Sequence, residues 1–288
     1  MKINGKELEK SFIFPAGEVQ IKLPKFHING KENKIVVETV IDSSDKIMEL
    51  LLVKEALDNY YSCYYTKLIL HYLPYARQDR RCADDESFAG KVAIELIDNL
   101  CFSEIEIADI HNVNLLNHFI RTKVKHISVL DIITKNSDIL QYVNTIIAPD
   151  KGALDKVKEI ADTYKKDFLF ATKKRDVNTG KITDLCFEFD DDVLYQKILN
   201  KNILIIDDIV DAGGTFIGLA KIINHYLPKS LSLYVTHGIF SKGLESLFQS
   251  KIDRIYTTRS FFNWDRIYNK CPQDMIYKKE QKLNIIDI

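Results

Sequence analysis

The sequence is short of several features that would settle its class early. It contains no Cys-x-x-Cys pair; the five cysteines, Cys63, Cys82, Cys101, Cys186 and Cys271, are scattered and odd in number. That argues against a disulfide framework and a cysteine zinc site, and it suits a reducing cytoplasm. No apolar run approaches membrane-spanning length, and the N-terminus shows no signal-peptide pattern, so a soluble chain without a membrane partner is expected. Charge of neither sign dominates. A net charge of −1 gives no general reason to expect nucleic acid or an anionic surface as partner. There is no G-x-x-x-x-G-K-[ST] loop, no kinase set of motifs and no Ser-His-Asp arrangement. Any nucleotide site must therefore be built another way. No segment is low-complexity, and no clear repeat is visible.

What is present is ordinary in bulk. The chain has 288 residues, 46% hydrophobic and 28% charged, enough for one large or two medium domains with a real core. The most informative stretch is Ile203-Leu204-Ile205-Ile206-Asp207-Asp208-Ile209-Val210-Asp211-Ala212-Gly213-Gly214-Thr215-Phe216. An apolar run of strand length ends in two carboxylates, a short loop follows, and apolar residues then recur at helical spacing. In an open parallel sheet this loop lies at the carboxyl end of a strand, where ligands bind. Glycines let the backbone approach a ligand, and the N–H groups that open the helix cradle an anion. Thr215 adds a hydroxyl donor. A phosphate belongs in the loop, whereas Asp207 and Asp208 would repel it and suit sugar hydroxyls or a cation. Together they describe a receptor for a ribose phosphate.

Strands and helices alternate along the whole chain. Strands are expected at Lys34–Val40, Lys67–Leu73, Glu104–Ala108, His126–Leu130, Thr145–Ala148, Asp167–Ala171, Ile182–Phe189, the 203 stretch, Leu231–Thr236 and Arg254–Tyr256. Helices are expected at Asp45–Tyr60, Glu86–Leu100, Leu154–Tyr164, 216–227 and 241–249. The first 30 residues read as short strands with turns at Asn4-Gly5, Pro15-Ala16-Gly17 and Asn29-Gly30. This pattern predicts an α/β fold with doubly wound parallel sheets in two domains, 1–133 and 134–288, with the tail 266–288 free to pack back on the first. Asp190-Asp191-Asp192 reads as a solvated turn, and Thr172–Lys181 as a polar, basic loop.

Other polar residues gather just after predicted strands: Arg77 and Gln78, Asp109 and His111, Asp150, and Lys173 to Arg175. That placement predicts one composite site. Arg77, Arg80 and Arg81 suit a polyphosphate, because guanidinium forks bind phosphate oxygens in pairs; read alone, they also suit a solvated loop. His111 with Asp150 could hold magnesium through waters and substrate phosphates. Lys173, Lys174 and Arg175 are cations on a loop that could close over a triphosphate.

Tyr75-Ala76-Arg77-Gln78-Asp79-Arg80, taken with Asp207-Asp208-Ile209-Val210-Asp211-Ala212-Gly213-Gly214-Thr215, resembles the ribose-phosphate pyrophosphokinases (PRPP synthetases). The second motif is shared with phosphoribosyltransferases. The likeness runs from about Phe14 to Thr236 and includes Gly17-Glu18-Val19-Gln20-Ile21 and Ile47-Met48-Glu49-Leu50-Leu51. The resemblance implies two phosphoribosyltransferase-like domains. It also implies magnesium-dependent transfer of the β,γ-diphosphoryl group of ATP to the 1-hydroxyl of ribose 5-phosphate. By matching position, Phe14 and Glu18 are implied as adenine-side ATP contacts given to a neighbouring subunit, hence a homo-oligomer. Arg77 and Gln78 are implied as further ATP contacts, and His111 and Asp150 as magnesium-site residues. Lys173 and Arg175 are implied as catalytic cations, and Asp207 and Asp208 as the ribose-diol carboxylates. Asp211, Ala212, Gly213, Gly214 and Thr215 are implied as the 5-phosphate loop.

The chain departs from the family pattern in places. Ala16 stands where Asp is usual, Ala83-Asp84-Asp85 where a basic stretch is common, Asp150-Lys151-Gly152-Ala153 for Asp-His-Gly-Gly, and Gly213 where Ala is common. The acidic replacement implies weak activation by phosphate. Gly213 suggests a second acceptor, ADP-ribose, if it opens room for a diester. A PRPP-using phosphoribosyltransferase and a non-catalytic regulatory member are further readings. The Arg77–Arg80 motif argues against the former; His111, Lys173 and Arg175 argue against the latter.

Overall fold

The computed structural model describes residues 1–25, 34–61, 65–175, 182–261 and 282–288. The chain forms two units, Met1–Ser128 and Val129–Ile288. The division falls slightly ahead of residue 133, where the sequence pattern had placed it.

The first unit opens with β1 (Lys2–Ile3) and β2 (Lys6–Glu7), then the hairpin β3 (Glu9–Ile13) and β4 (Val19–Lys22). There follow β5 (Lys34–Thr39), α1 (Ser44–Tyr60), β6 (Tyr65–Leu70), α2 (Ala89–Asp98), β7 (Glu104–Ala108) and β8 (Lys123–Ile127). The sheet order is β2-β1-β5-β6-β7-β8, and β5 to β8 are parallel. The hairpin is a separate two-stranded sheet. Ser43 caps α1 by accepting the Lys46 N–H, as its place before the apolar stripe implies. Leu50, Val53 and Leu57 of α1 recur at helical spacing. With Ile94 and Ile97 of α2, they pack on Ile35, Val37, Leu68, Leu70, Ile105 and Ile107, the alternate residues of the strands. Each such buried side chain stabilises the unit by about 1.5–3 kcal/mol.

The second unit runs through α3 (Val129–Lys135), β9 (Thr145–Ala148), α4 (Leu154–Thr163), β10 (Asp167–Arg175), β11 (Ile182–Phe187) and α5 (Asp191–Ile198). It continues with β12 (Asn202–Val210), α6 (Gly214–His225), β13 (Ser230–Gly238), α7 (Glu245–Gln249), β14 (Arg254–Thr258) and β15 (Leu283–Ile286). The order is β11-β10-β9-β12-β13-β14-β15. From β9 the chain crosses through α4 to β10 on one side. From β12, its other neighbour, it crosses through α6 to β13 and onward in the opposite direction. Right-handed crossovers in opposite directions put helices on both faces, so β9 and β12 flank a topological switch point. Both central strands are accordingly apolar: all of β9 is buried, as is Ile203–Ile206.

Several expectations are corrected. Val129 and Leu130 open α3 rather than ending a strand, and β8 stops at Ile127; α3 packs on α4. The acidic triplet is not a turn: Asp190 is the N-cap of α5, and Asp191 and Asp192 lie in its first turn, where carboxylates favour the helix dipole. Lys173 and Arg175 lie on β10, not in a loop, because β11 supplies an antiparallel partner through Arg175. Within the second unit, β15 of the tail pairs in parallel with β14. Residues 266–281 and the Asn29-Gly30 turn lie outside the described residues. No described helix is long and apolar enough to cross a membrane.

Candidate active site

At the carboxyl edge of the first sheet, two loops are tied together. The loop after β6 turns at Tyr75, whose φ is +59°. The Gln78 N–H donates to the Tyr75 carbonyl at 2.9 Å, and the Gly90 N–H donates to the Gln78 carbonyl at 3.0 Å. A Cβ on Gly90 would lie 2.8 Å from that carbonyl oxygen, so glycine is what lets α2 start against this loop. Asn112 in the loop after β7 donates through Nδ2 to Asp79 Oδ2 at 2.7 Å. The preceding residues are anchored too. The buried Asp109 donates its N–H to Ile127 O at 2.8 Å, and the Ile110 N–H donates to His126 Nε2 at 3.2 Å. Arg77, Gln78 and His111 are thereby held on neighbouring loops, all exposed.

Phe14 and Glu18 lie on the hairpin bend. The Phe14 N–H donates to Glu18 O at 2.8 Å, and the Gly17 N–H to Phe14 O at 2.8 Å. Phe14 meets Phe12 edge-on, with ring centroids 4.6 Å apart. Phe12, Ile13 and Phe14 are 57%, 60% and 43% exposed, an apolar tip facing solvent.

In the second unit the predicted residues flank the switch point. Asp150 follows β9; its Oδ1 accepts the N–H groups of Gly152 at 2.8 Å and Ala153 at 3.2 Å, folding the turn that starts α4. Asp207 and Asp208 lie within β12, near its carboxyl end; the strand runs on past the apolar run, through Ile209 to Val210. Asp208 is buried, and its N–H donates to Asp207 Oδ1 at 2.9 Å. Lys156 of α4 places Nζ 3.6 Å from Asp208 Oδ1. Removal from water, followed by the charge of Asp208 and its hydrogen bond, pushes the Asp207 carboxyl well above the usual carboxylate range. Lys156 opposes that rise, and Asp150 adds to it.

The turn into α6 follows. Gly213 is its N-cap at φ +81°, and its carbonyl accepts the Ile217 N–H at 3.0 Å. No side chain caps this helix, so the N–H groups of its first turn, which have no intrahelical acceptor, face outward as an anion cradle. A Cβ on Gly214 would meet nothing within 4 Å, whereas one on Gly213 would lie 2.9 Å from Leu247 Cδ2. That corrects the reading of Gly213. The missing methyl faces the α7 packing rather than the phosphate loop, so it makes no room for a diester, and the case for ADP-ribose loses its support. Asp211, Ala212 and Thr215 are half-buried around the turn.

The structure thus groups Arg77, Gln78 and His111 on one edge, Phe14 with Glu18 on the hairpin, and Asp150 with Asp207 to Thr215 on the other sheet. Lys173 and Arg175 are placed by their backbone alone; their side chains lie outside the described residues. Sequence reasoning missed Asp79, Asn112 and Lys156. Lys156 had one available signal: it borders the buried stripe formed by Ala153, the N-cap of α4, and by Val157, Ile160 and Ala161 on the helix.

The chain is similar to known proteins. Residues 7–100 match the family described as the N-terminal domain of ribose phosphate pyrophosphokinase. A ribose-phosphate pyrophosphokinase of Mycoplasmopsis pulmonis is 31% identical over 96% of this chain and 80% of its own length. One of Pyrococcus abyssi is 27% identical over 86% of this chain and 82% of its own. The crystal structure of phosphoribosylpyrophosphate synthetase from Mycobacterium smegmatis superposes with a TM-score of 0.73 at 18% identity, covering 96% of this chain and 85% of that one, a likeness of fold. On the near-full-length match to a relative that is 31% identical, the chain belongs to the ribose-phosphate pyrophosphokinase family.

Proposed function

We propose that this protein transfers the β,γ-diphosphoryl group of ATP to the 1-hydroxyl of ribose 5-phosphate, forming PRPP and AMP. The observation that carries the reading is the end of β12. Two carboxylates stand beside an uncapped helix N-terminus with an open Gly214, a diol receptor next to a phosphate receptor on one strand–loop–helix unit. Asp207 and Asp208 take the ribose hydroxyls, and Asp211 to Thr215 take the 5-phosphate. Arg77 and Gln78 take ATP, with Phe14 and Glu18 offered to the adenine side of a second copy's ATP. The exposed apolar tip at Phe12 to Phe14 supports that assembly. Light scattering showing a dimer or larger supports it, and a fully active monomer refutes it.

In the reaction the sugar O1 bonds to the β-phosphorus as the bond from that phosphorus to the α-phosphate bridging oxygen breaks. The hydroxyl proton is lost and AMP leaves with the electron pair. Little covalent chemistry falls to the protein, so its residues position groups and neutralise charge. Lys173 and Arg175 oppose the charge that grows on the transferred group and on AMP. Among the described residues, no set of three His, Cys, Asp or Glu side chains forms a ready metal site. Asp150, a hard oxygen donor in the loop after β9, suits a magnesium ion held largely by ATP phosphates and water; His111, on the first unit, is assigned to magnesium by the sequence resemblance. Magnesium bound there would neutralise phosphate charge. The described cysteines are free, which suits the cytoplasm.

The test is nucleotide analysis with ATP, magnesium and ribose 5-phosphate. AMP should appear in step with ATP loss. Formation of ADP instead would identify simple phosphoryl transfer and refute the reading.

A further inference from the structure

We propose that Lys156 is a positioning residue for the sugar acceptor: from α4, its ammonium holds the Asp208 carboxylate in place for a ribose hydroxyl. This rests on the functional reading above and names a residue which that reading does not use.

The argument begins with crowding. Consecutive carboxylates near the carboxyl end of β12 feel the charge of Asp150 in the loop after β9, and Asp208 is 3% exposed. Like charges with little water between them repel strongly, and such a group without a counter-charge would swing away or give up its charge. Lys156 answers both problems. Its Nζ is 3.6 Å from Asp208 Oδ1, with side-chain exposures of 23% and 4%. A partly buried pair of this kind is screened far less than a surface one.

The direction of approach gives the contact its meaning. Asp150 folds the turn that starts α4, and Ala153, Val157, Ile160 and Ala161 fix that helix face inward. Lys156, at the border of the stripe, therefore reaches toward β12 from the β9 side of the switch point. It couples the two strand ends between which a ligand of a doubly wound sheet sits. An Asp208 oxygen fixed in this way is aimed before substrate arrives, and pre-aimed groups cost no ordering on binding.

The experiment is steady-state kinetics on the full chain with ribose 5-phosphate and ATP varied separately. Lys156→Met should raise the KM for ribose 5-phosphate about tenfold or more while the KM for ATP stays within about twofold. Lys156→Arg, which keeps the cation, should return the sugar KM to within about threefold of the parent. Lys156→Gln is carried in parallel in case the apolar variant folds poorly, and should show the same selective loss. Unchanged KM values, equal rises for both substrates, or an arginine variant no better than methionine would each overturn the proposal. An active parent with an unaffected Lys156→Met removes this inference alone. A parent that makes no PRPP removes the functional reading and this inference with it.

Discussion

Asn112 donates a 2.7 Å hydrogen bond to the Asp79 carboxylate and so ties the loop after β6 to the loop after β7. Arg77 and Gln78 sit on one side of this tie and His111 on the other. The bond to a charged acceptor is worth about 1.5–3 kcal/mol at most, and part of that acts on loop position. Asn112→Ala is expected to raise the KM for ATP several-fold and leave that for ribose 5-phosphate nearly unchanged. Kinetics with each substrate varied in turn check this; an effect confined to ribose 5-phosphate would contradict it.

The two glycines that begin α6 should behave oppositely. Gly213 has φ +81°, and its Cβ would press on Leu247, so Gly213→Ala should destabilise the fold by about 1–3 kcal/mol. Gly214 faces open space, so Gly214→Ala should leave stability within about 1 kcal/mol and weaken ribose 5-phosphate instead. Urea unfolding of both variants beside their kinetics separates the roles. A stable Gly213→Ala with a selective acceptor defect would restore the view that Gly213 shapes the phosphate loop.

How far the sequence foretold all this depends on whether the signal was local. The β12–α6 unit was legible because the apolar run, the carboxylates and the glycines are contiguous. So were β9, α4 and α1 with its Ser43 cap. Failures came where a distant partner decided. The extension of β10 through Lys173 and Arg175 depends on pairing with β11. The start of α5 is fixed by Tyr226, whose hydroxyl donates to Asp191 at 2.7 Å. That bond, with burial, pushes the Tyr226 phenol up to about 12. Nothing within the acidic triplet itself announced that contact. The Lys156 contact is of the same kind, a helix residue meeting a strand end from elsewhere in the chain.

Asp98 gives the first unit an acid-sensitive element. Burial pushes its carboxyl up, but the N–H groups of Ile120, Arg121 and Thr122, at 2.9–3.2 Å, outweigh burial and hold it below the usual range. A depressed folded-state value means stability that is present above the unfolded value of about 3.9 and lost as pH falls through the folded one. Asp98→Asn should therefore destabilise the protein at pH 7 by about 1–3 kcal/mol. The gap from the parent should narrow below about pH 4. Denaturant melts at both pH values test it; a gap that widens in acid would show the sign to be wrong.

Lys173 and Lys174 are neighbours on β10, and our proposal, which rests on the motif resemblance, places catalysis on Lys173 and Arg175. Removing a cation that acts on the transition state costs about 10²–10³ in rate. Lys173→Ala should lower kcat by at least this much with a much smaller change in ATP binding, whereas Lys174→Ala should be mild. A near-normal Lys173→Ala, or a worse Lys174→Ala, would mean that the catalytic cations are misassigned.

Mass spectrometry of the product bears most directly on the central claim. The protein is incubated with ATP and magnesium and given ribose 5-phosphate or ADP-ribose in separate reactions. The account predicts PRPP and AMP with ribose 5-phosphate and no diphosphorylated product with ADP-ribose. No PRPP from ribose 5-phosphate, or a diphosphorylated ADP-ribose as the main product, would contradict it.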